Sequence, residues 1–393
     1  MSLARREFLL GSLAFPALAA QKKALVAPPN ILLIVAGDLG TWMLGCDGNR
    51  DIQTPNIDLL AKEGTRFGGN FACAPMSEPS RATLFTGHVQ GLQTKTTLFD
   101  TLTAQGYNGG YAGAWQSGDR RVDSVTGKAH QFLDQQSKDK PFLLTVSYAD
   151  PNPPYDGYAR QYDEMYAKST FENMGREPAS PNAAGDKDML KDIVGSLRKC
   201  AAAISALDAQ IPLLLSKLHD RGLRENTLIV FCSANGALLG RHGLWGDGAS
   251  SDPVNMYEEV VRVPMIWNWP GRVPVESVRN ELVSFYDVVP SLCEVAGVAP
   301  PAGLIGRSYA TLAYGKRLPK KQPWRNLVFG QFRNARMARN SRYKLVLRDQ
   351  GKGPNELYDV VVDPRERVNR FDNPGHLSIR EQLTRQLAMF EKA

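Results

Sequence analysis

Ser77, Pro79 and Arg81, within the run Ser77-Glu78-Pro79-Ser80-Arg81, are the residues of this 393-residue chain whose types and spacing are best suited to chemistry. Pro79 fixes a backbone dihedral and interrupts local hydrogen bonding. The helix expected to open at Ser80-Arg81 would turn free amide groups and a guanidinium toward one spot. Ser77 is the small hydroxyl so presented, with the Arg81 guanidinium facing the same spot. An unmodified serine is a weak nucleophile without a base beside it, and no base is evident in the run. The same spacing also fits a plain surface turn followed by a helix.

The elements that must position this run follow an α/β pattern. Ile31 to Ala36, Phe142 to Tyr148 and Thr227 to Cys232 are continuous apolar runs, as expected of strands buried on both faces of a parallel sheet. They end at Gly37-Asp38, at Asp150-Pro151-Asn152-Pro153-Pro154 and at Ser233-Ala234-Asn235-Gly236. Open α/β sheets place ligands outside the carboxyl ends of their strands, so Asp38 falls where chemistry is expected. Helices are expected over Asn56 to Gly64, Leu98 to Gly106 and, as one long element, Leu190 to His219. Residues 170 to 187 read as a mobile polar surface loop. Beyond Arg307 come Asn326 to Phe332, Tyr343 to Leu347 and Glu356 to Val360, then a helix from Leu377 to Lys392. The expected architecture is a mainly parallel sheet flanked by helices, with a small C-terminal antiparallel sheet plus helix. The expected domains are a signal segment at 1–27, an α/β domain at 28–310 and a C-terminal subdomain at 311–393.

Several blocks resemble the type I sulfatases of the alkaline phosphatase-like superfamily. Ser77-x-Pro79-x-Arg81 followed by Ala82-Thr83-Leu84-Phe85-Thr86-Gly87 is similar to the motif in which a Cys or Ser is oxidised to formylglycine. Pro29 to Val35, Thr54 to Phe67, His242 to Gly246, Met256 to Pro264, Arg342 to Leu345 and Glu356 to Asp359 resemble other family blocks, in family order. The resemblance implies a sulfuric ester hydrolase lineage with a divalent metal, usually calcium, held by carboxylates at strand ends. It also implies lysines and histidines that neutralise the ester and protonate the leaving group.

This sequence departs from that pattern at several positions. Gly37 and Ala234 each stand where the family has one aspartate of a metal-binding pair, leaving Asp38 and Asn235 as an incomplete metal set. Gly113-Ala114-Trp115-Gln116 replaces Gly-Lys-Trp-His, so Ala114 and Gln116 remove a lysine and a histidine. Asn152 stands in place of a histidine and Asp247 in place of a lysine. As caps of turns or helices, Asp38 and Asn235 would need no metal at all. The expectation is a family member of impaired catalysis acting as an exported binding or scaffold protein. The alternative is an active sulfatase with a rearranged metal site drawing on Asp38, Asp247, Asp150 or Glu78. No cofactor is expected, apart from calcium if a residual site persists and formylglycine if Ser77 is matured. The partners implied are sulfated or acidic glycans or small sulfate esters.

Composition sets outer bounds. With 43% hydrophobic and 22% charged residues the chain has an ordinary globular balance. A net charge of +7 is compatible with anionic ligands, and the excess is read as spread along the chain rather than gathered. No basic run interleaved with aromatic residues points to nucleic acid. The five cysteines are widely spaced, which favours core packing over a disulfide framework or zinc knuckle. Arg5-Arg6-Glu7-Phe8-Leu9 before an apolar run to Ala20 reads as a twin-arginine export signal, hence a periplasmic or secreted protein. No span long enough to cross a membrane is expected, and the oligomeric state is left open.

Overall fold

The computed structural model describes residues 28–89, 96–113, 121–349 and 352–391. The export segment, Ala114, Trp115 and Gln116 lie outside the described residues. Among the described residues, nine strands precede residue 300: β1 (Asn30–Asp38), β2 (Thr65–Phe67), β3 (Asn70–Phe71), β4 (Asn108–Gly113), β5 (Phe142–Ser147), β6 (Thr227–Asn235), β7 (Met265–Asn268), β8 (Ser277–Arg279) and β9 (Val283–Ser284). Seven of them form one sheet in the order β4-β5-β1-β6-β7-β2-β8. The central strands β4, β5, β1 and β6 are parallel, whereas β7 runs antiparallel to both its neighbours and β2 pairs β8 in parallel. β3 and β9 pair separately.

β1 alternates between two cores, as its unbroken apolar run requires. Leu32, Ile34 and Ala36 face one cluster, and Ile31, Leu33 and Val35 face the other. Helices cover both faces: α1 (Pro55–Lys62), α2 (Ser77–Thr86), α3 (Leu98–Thr103), α4 (Val122–Asp134), α5 (Ile193–Asp208), α6 (Gln210–Asp220) and α7 (Val288–Ala296). The expected single helix over Leu190 to His219 is in fact two, α5 and α6, joined at Ala209. Pro212 accounts for the break, because its ring excludes the carbonyl four residues earlier and it has no N–H to donate. The Ile193–Asp220 stretch is long and apolar enough to cross a membrane, but 67% of its most apolar window is buried inside the fold.

Residues 170–187 are not the free loop that their polarity suggests. Phe171 and Met174 are buried in the core. Ser180 N donates to Gly243 O at 2.9 Å, Ala184 N to Ser250 O at 2.7 Å, and Asp252 N to Asn182 O at 3.0 Å. These bonds pin the segment across the turn that carries Asp247.

The C-terminal part is an antiparallel sheet of β10 (Leu327–Phe332), β11 (Ala335–Asn340), β12 (Tyr343–Arg348) and β13 (Glu356–Asp359), in that order. α8 (Leu377–Phe390) packs Leu383 and Leu387 onto Ala338, Leu345 and Leu357. The other face of the sheet packs Val328, Met337 and Val346 against Phe71, Met256 and Val261. β11 escapes a composition-based reading because its arginines look like loop residues. Its Ala335, Met337 and Arg339 nevertheless alternate to one face, and the Arg339 guanidinium lies over the Phe71 ring at 5.1 Å.

Candidate functional site

Ser77 is the first residue of α2, with Met76 as its N-cap, so the helix opens three residues earlier than the Ser80-Arg81 start expected from the sequence. Pro79 sits inside the first turn, where its missing N–H has no intrahelical partner to lose. Glu78 is exposed and favourably placed at the positive end of the helix. The C-terminal end is closed by Gly87, whose φ of 75° suits glycine in a left-handed cap.

Four residues after Ser77, one turn along the helix, Arg81 is buried beneath it. Its Nε donates to Ser77 Oγ at 3.0 Å, and its Nη2 donates to Ala36 O and Tyr148 O at 3.3 Å each. The remaining nitrogen donates to Ser147 Oγ. The guanidinium therefore ties the Ser77 hydroxyl to the carboxyl ends of β1 and β5. Burial lowers the Arg81 pKa, with Tyr111, Cys232 and Asp38 opposing that shift, so a positive charge persists in a nearly closed space. Among the described residues no carboxylate or imidazole is hydrogen-bonded to Ser77.

Asp38 and Asn235 stand opposite each other in register at the ends of β1 and β6. Asn235 Nδ2 donates to Asp38 Oδ1 at 2.9 Å and to Gly236 O at 2.9 Å. Asn235 Oδ1 is buried and has no hydrogen-bond partner. The Ser233 hydroxyl knits the two strand ends by accepting from Leu39 N at 2.9 Å and contacting Gly37 O and Asn235 O. The pair thus brings together one carboxylate and one uncommitted amide oxygen, both hard donors of the kind calcium accepts. Calcium takes six to eight oxygens. Among the described residues there is no group of three His, Cys, Asp or Glu side chains that could hold a metal.

The structure also gives physical reasons for the residues beside that pair. A Cβ at Gly37 would lie 2.1 Å from Ala149 O, because Gly37 N donates to Asp150 O at 2.7 Å and draws the chain after β5 against it. Ala234 is buried on the face of β6 that carries Val230 and Cys232, and its carbonyl accepts from Ser80 Oγ. Asn152 is half-buried between the cis peptides Asp150-Pro151 and Pro153-Pro154. Asp247 caps its own turn, Oδ1 accepting from Ala249 N at 2.8 Å. Burial raises the Asp247 pKa, and Asp186 adds to the rise. Gly248 N donates to Pro75 O at 2.8 Å, which presses this turn onto the residue two before Ser77.

One residue of the site was not recognised from sequence. Glu259 lies in the short helical turn Glu258–Val261. The Cβ atoms of Gly40 and Gly236, were they present, would meet its carbonyl oxygen at 2.7 and 2.1 Å, so the turns after Asp38 and Asn235 both close on it. Its carboxylate contacts Arg241 at 3.3 Å and His242 at 3.7 Å. Burial alone would raise the Glu259 pKa, but His242 and then Arg241 more than offset it, and the carboxyl is held below its ordinary value. His242 stacks on Tyr257 at 3.8 Å, and Arg241 covers the Trp42 ring at 3.6 Å. The two adjacent glutamates after Tyr257 and the two glycines were the available signals, and only the fold brings them together.

Comparison with known proteins agrees with the fold. The sulfatase family model matches residues 29–125 and 117–298, and that of the N-sulphoglucosamine sulphohydrolase C-terminal region matches residues 246–393. An ulvan-active sulfatase of Formosa agariphila is 24% identical over 424 residues, covering 91% of this chain and 80% of its own length. Human arylsulfatase A is 27% identical over 435 residues, covering 88% of this chain and 84% of its own. A solved structure described as a complex with its substrate D-glucosamine-2-N,6-O-disulfate superposes with a TM-score of 0.79 at 22% identity, covering 93% of this chain and 98% of its own. The two family models together span residues 29–393, and the chain belongs to the sulfatase family.

Proposed function

We propose that this sulfatase-family protein is exported and binds sulfated or acidic glycans, or small sulfate esters, at the Ser77 end of its sheet, with hydrolysis impaired. The observation that carries the reading is the Asp38–Asn235 pair, in which the aspartate oxygen is occupied by an amide donor. One carboxylate and one amide oxygen give a weak cage for a divalent cation, against the several charged oxygens such ions prefer. Ser77 supports the same reading, since its oxygen accepts from Arg81 rather than donating to a base. A buried guanidinium and the first turn of α2 still favour an anion there. The glycan class is supported by two relatives, an ulvan-active sulfatase and an N-acetylglucosamine-6-O-sulfatase.

The test is twofold. Peptide mass spectrometry of residues 66–93 from the native host reads whether Ser77 is oxidised to formylglycine. Aryl sulfate hydrolysis is then measured with calcium and with chelator, in wild type and Ser77→Ala. Metal-dependent turnover that disappears in Ser77→Ala would overturn the reading. It would favour the second one, an active sulfatase in which Asp38 and the unpartnered Asn235 Oδ1 hold calcium beside a matured Ser77.

A further inference from the structure

The cationic excess is not spread along the chain. Between Val295 and Arg348 the sequence holds twelve Lys or Arg and no Asp or Glu, so this stretch alone outweighs the net +7 of the whole. Half of those cations are matched by carboxylates from elsewhere: Arg325, Arg336, Arg339, Arg342, Lys344 and Arg348 all form ion pairs. Lys316, Arg317, Lys320 and Lys321 are not, and all four are exposed on one connection between the main sheet and the C-terminal sheet. None of them forms an ion pair among the described residues.

This connection has a built base. Trp324 Nε1 donates to Leu282 O at 2.8 Å, and the ring is flanked by the guanidinium groups of Arg307 at 5.2 Å and Arg325 at 5.1 Å. Arg307 Nη1 donates to Pro323 O at 3.2 Å, and Arg325 is anchored by Asp287. At the other end, Ala313 O accepts from Thr65 Oγ1 at 3.0 Å, at the start of β2. Pro319 and Pro323 restrict the chain between these anchors, lowering the entropy lost when the loop is ordered against a ligand. The loop lies away from the Ser77 site. Leu304, twelve residues before it, packs at Gly87, the far end of α2, about 15 Å along the helix axis from Ser77.

We propose that residues 316–324 form a second, non-catalytic surface that docks a sulfated polysaccharide chain. Two adjacent exposed pairs of cations stand on either side of Leu318-Pro319, the second in a turn closed by Gln322 N donating to Pro319 O at 2.9 Å, and make an open array of charge. Such an array suits a repeating polyanion better than a single ester. A single-stranded nucleic acid would need an open aromatic face for base stacking, and the Trp324 ring already carries the guanidinium groups of Arg307 and Arg325. A membrane surface would need apolar anchors, and no exposed large apolar side chain lies within 303–325. The preference for a sulfated glycan rests on the proposed reading of the Ser77 site; the cationic surface itself does not.

The test compares binding of heparin and of chemically desulfated heparin by calorimetry at about 0.1 M salt, in the full chain and in two variants. The quadruple variant Lys316→Ala/Arg317→Ala/Lys320→Ala/Lys321→Ala is expected to bind heparin at least about tenfold more weakly and with a shallower salt dependence. Its thermal midpoint should be unchanged, because the four side chains are solvent-exposed. Ser77→Ala is expected to keep the steep salt dependence that the four loop cations supply, whatever affinity it loses at the Ser77 site. Unchanged affinity in the quadruple variant would overturn the proposal. So would loss confined to Ser77→Ala, which would place the glycan in the Ser77 pocket and leave the first reading intact. Desulfated heparin, duplex DNA or phosphatidylserine vesicles binding as tightly as heparin would overturn the glycan assignment.

Discussion

Asn235 donates its side-chain amide to the Asp38 carboxylate across the ends of two neighbouring parallel strands, and its own carbonyl oxygen is left buried with no partner. Asn235→Asp would replace that donor with a second carboxylate. Without metal the two like charges should repel and lower stability, by about 1–3 kcal/mol. With calcium the variant should regain it, by about 2.7 kcal/mol at a hundredfold excess over the dissociation constant. Thermal midpoints in calcium and in chelator check this. A calcium response no larger than that of the wild type would show that the strand ends cannot hold the ion.

Gly37 offers the opposite expectation. Restoring an aspartate there puts a Cβ 2.1 Å from Ala149 O, and the Asp150 loop must move to admit it. Gly37→Asp should therefore be destabilised by about 1–3 kcal/mol in urea unfolding, and Gly37→Ala nearly as much. An unaltered midpoint in both would show that this approach of backbones is looser than the structure has it.

Glu259 sets a pH dependence. Its carboxyl is held below its ordinary value near 4.5, so it contributes stability that is fully present above that pH and is lost as pH falls through the lower folded value. Glu259→Gln should flatten the acid limb of the stability curve. At neutral pH it should cost about 3 kcal/mol, because Arg241 and His242 lose their buried partner. Denaturant midpoints from pH 3 to 7 in both proteins test the sign.

Much of the site was legible because strand ends and a helix start announce themselves in sequence. Apolar runs closed by Gly37-Asp38 and by Ser233-Ala234-Asn235 mark where β1 and β6 stop, and α/β topology places those stops together. Pro79 and the helix expected to open at Ser80-Arg81 already turned the guanidinium toward the Ser77 hydroxyl, although the helix in fact begins at Ser77 itself. What the sequence did not disclose was contact across long separations. Glu259 closing on Gly40 and Gly236, the break at Ala209 and the pinning of residues 170–187 depend on backbone approaches that no local pattern encodes. The cationic gathering after Val295 was available to simple counting, but its pairing was not. Only the fold separates six matched charges from the exposed four.

Lys344 makes a further expectation. Its ammonium is fully buried, donating to Met256 O at 2.6 Å and pairing with Glu366 at 2.5 Å, with Glu258 at 3.7 Å. Lys344→Met should cost about 3–5 kcal/mol by leaving Glu366 without its cation, while Glu258 keeps Arg339. The double variant Lys344→Met/Glu366→Gln should recover part of that loss. Chemical unfolding of these two variants and of Glu366→Gln measures the coupling, and strictly additive losses would contradict it.

The same contacts bear on the order in which the protein is made. Glu258 receives Arg339 on its carboxylate and gives its N–H to Glu366 at 2.7 Å, both from residues synthesised long after it. The next residue, Glu259, props the turns that follow Asp38 and Asn235. On the ribosome the first and sixth strands can pair once β6 has emerged, but the turn that braces their ends lacks its partners until residue 366 has left the exit tunnel. The candidate site is therefore among the last parts of the molecule to be completed, although its serine belongs to the first quarter of the chain.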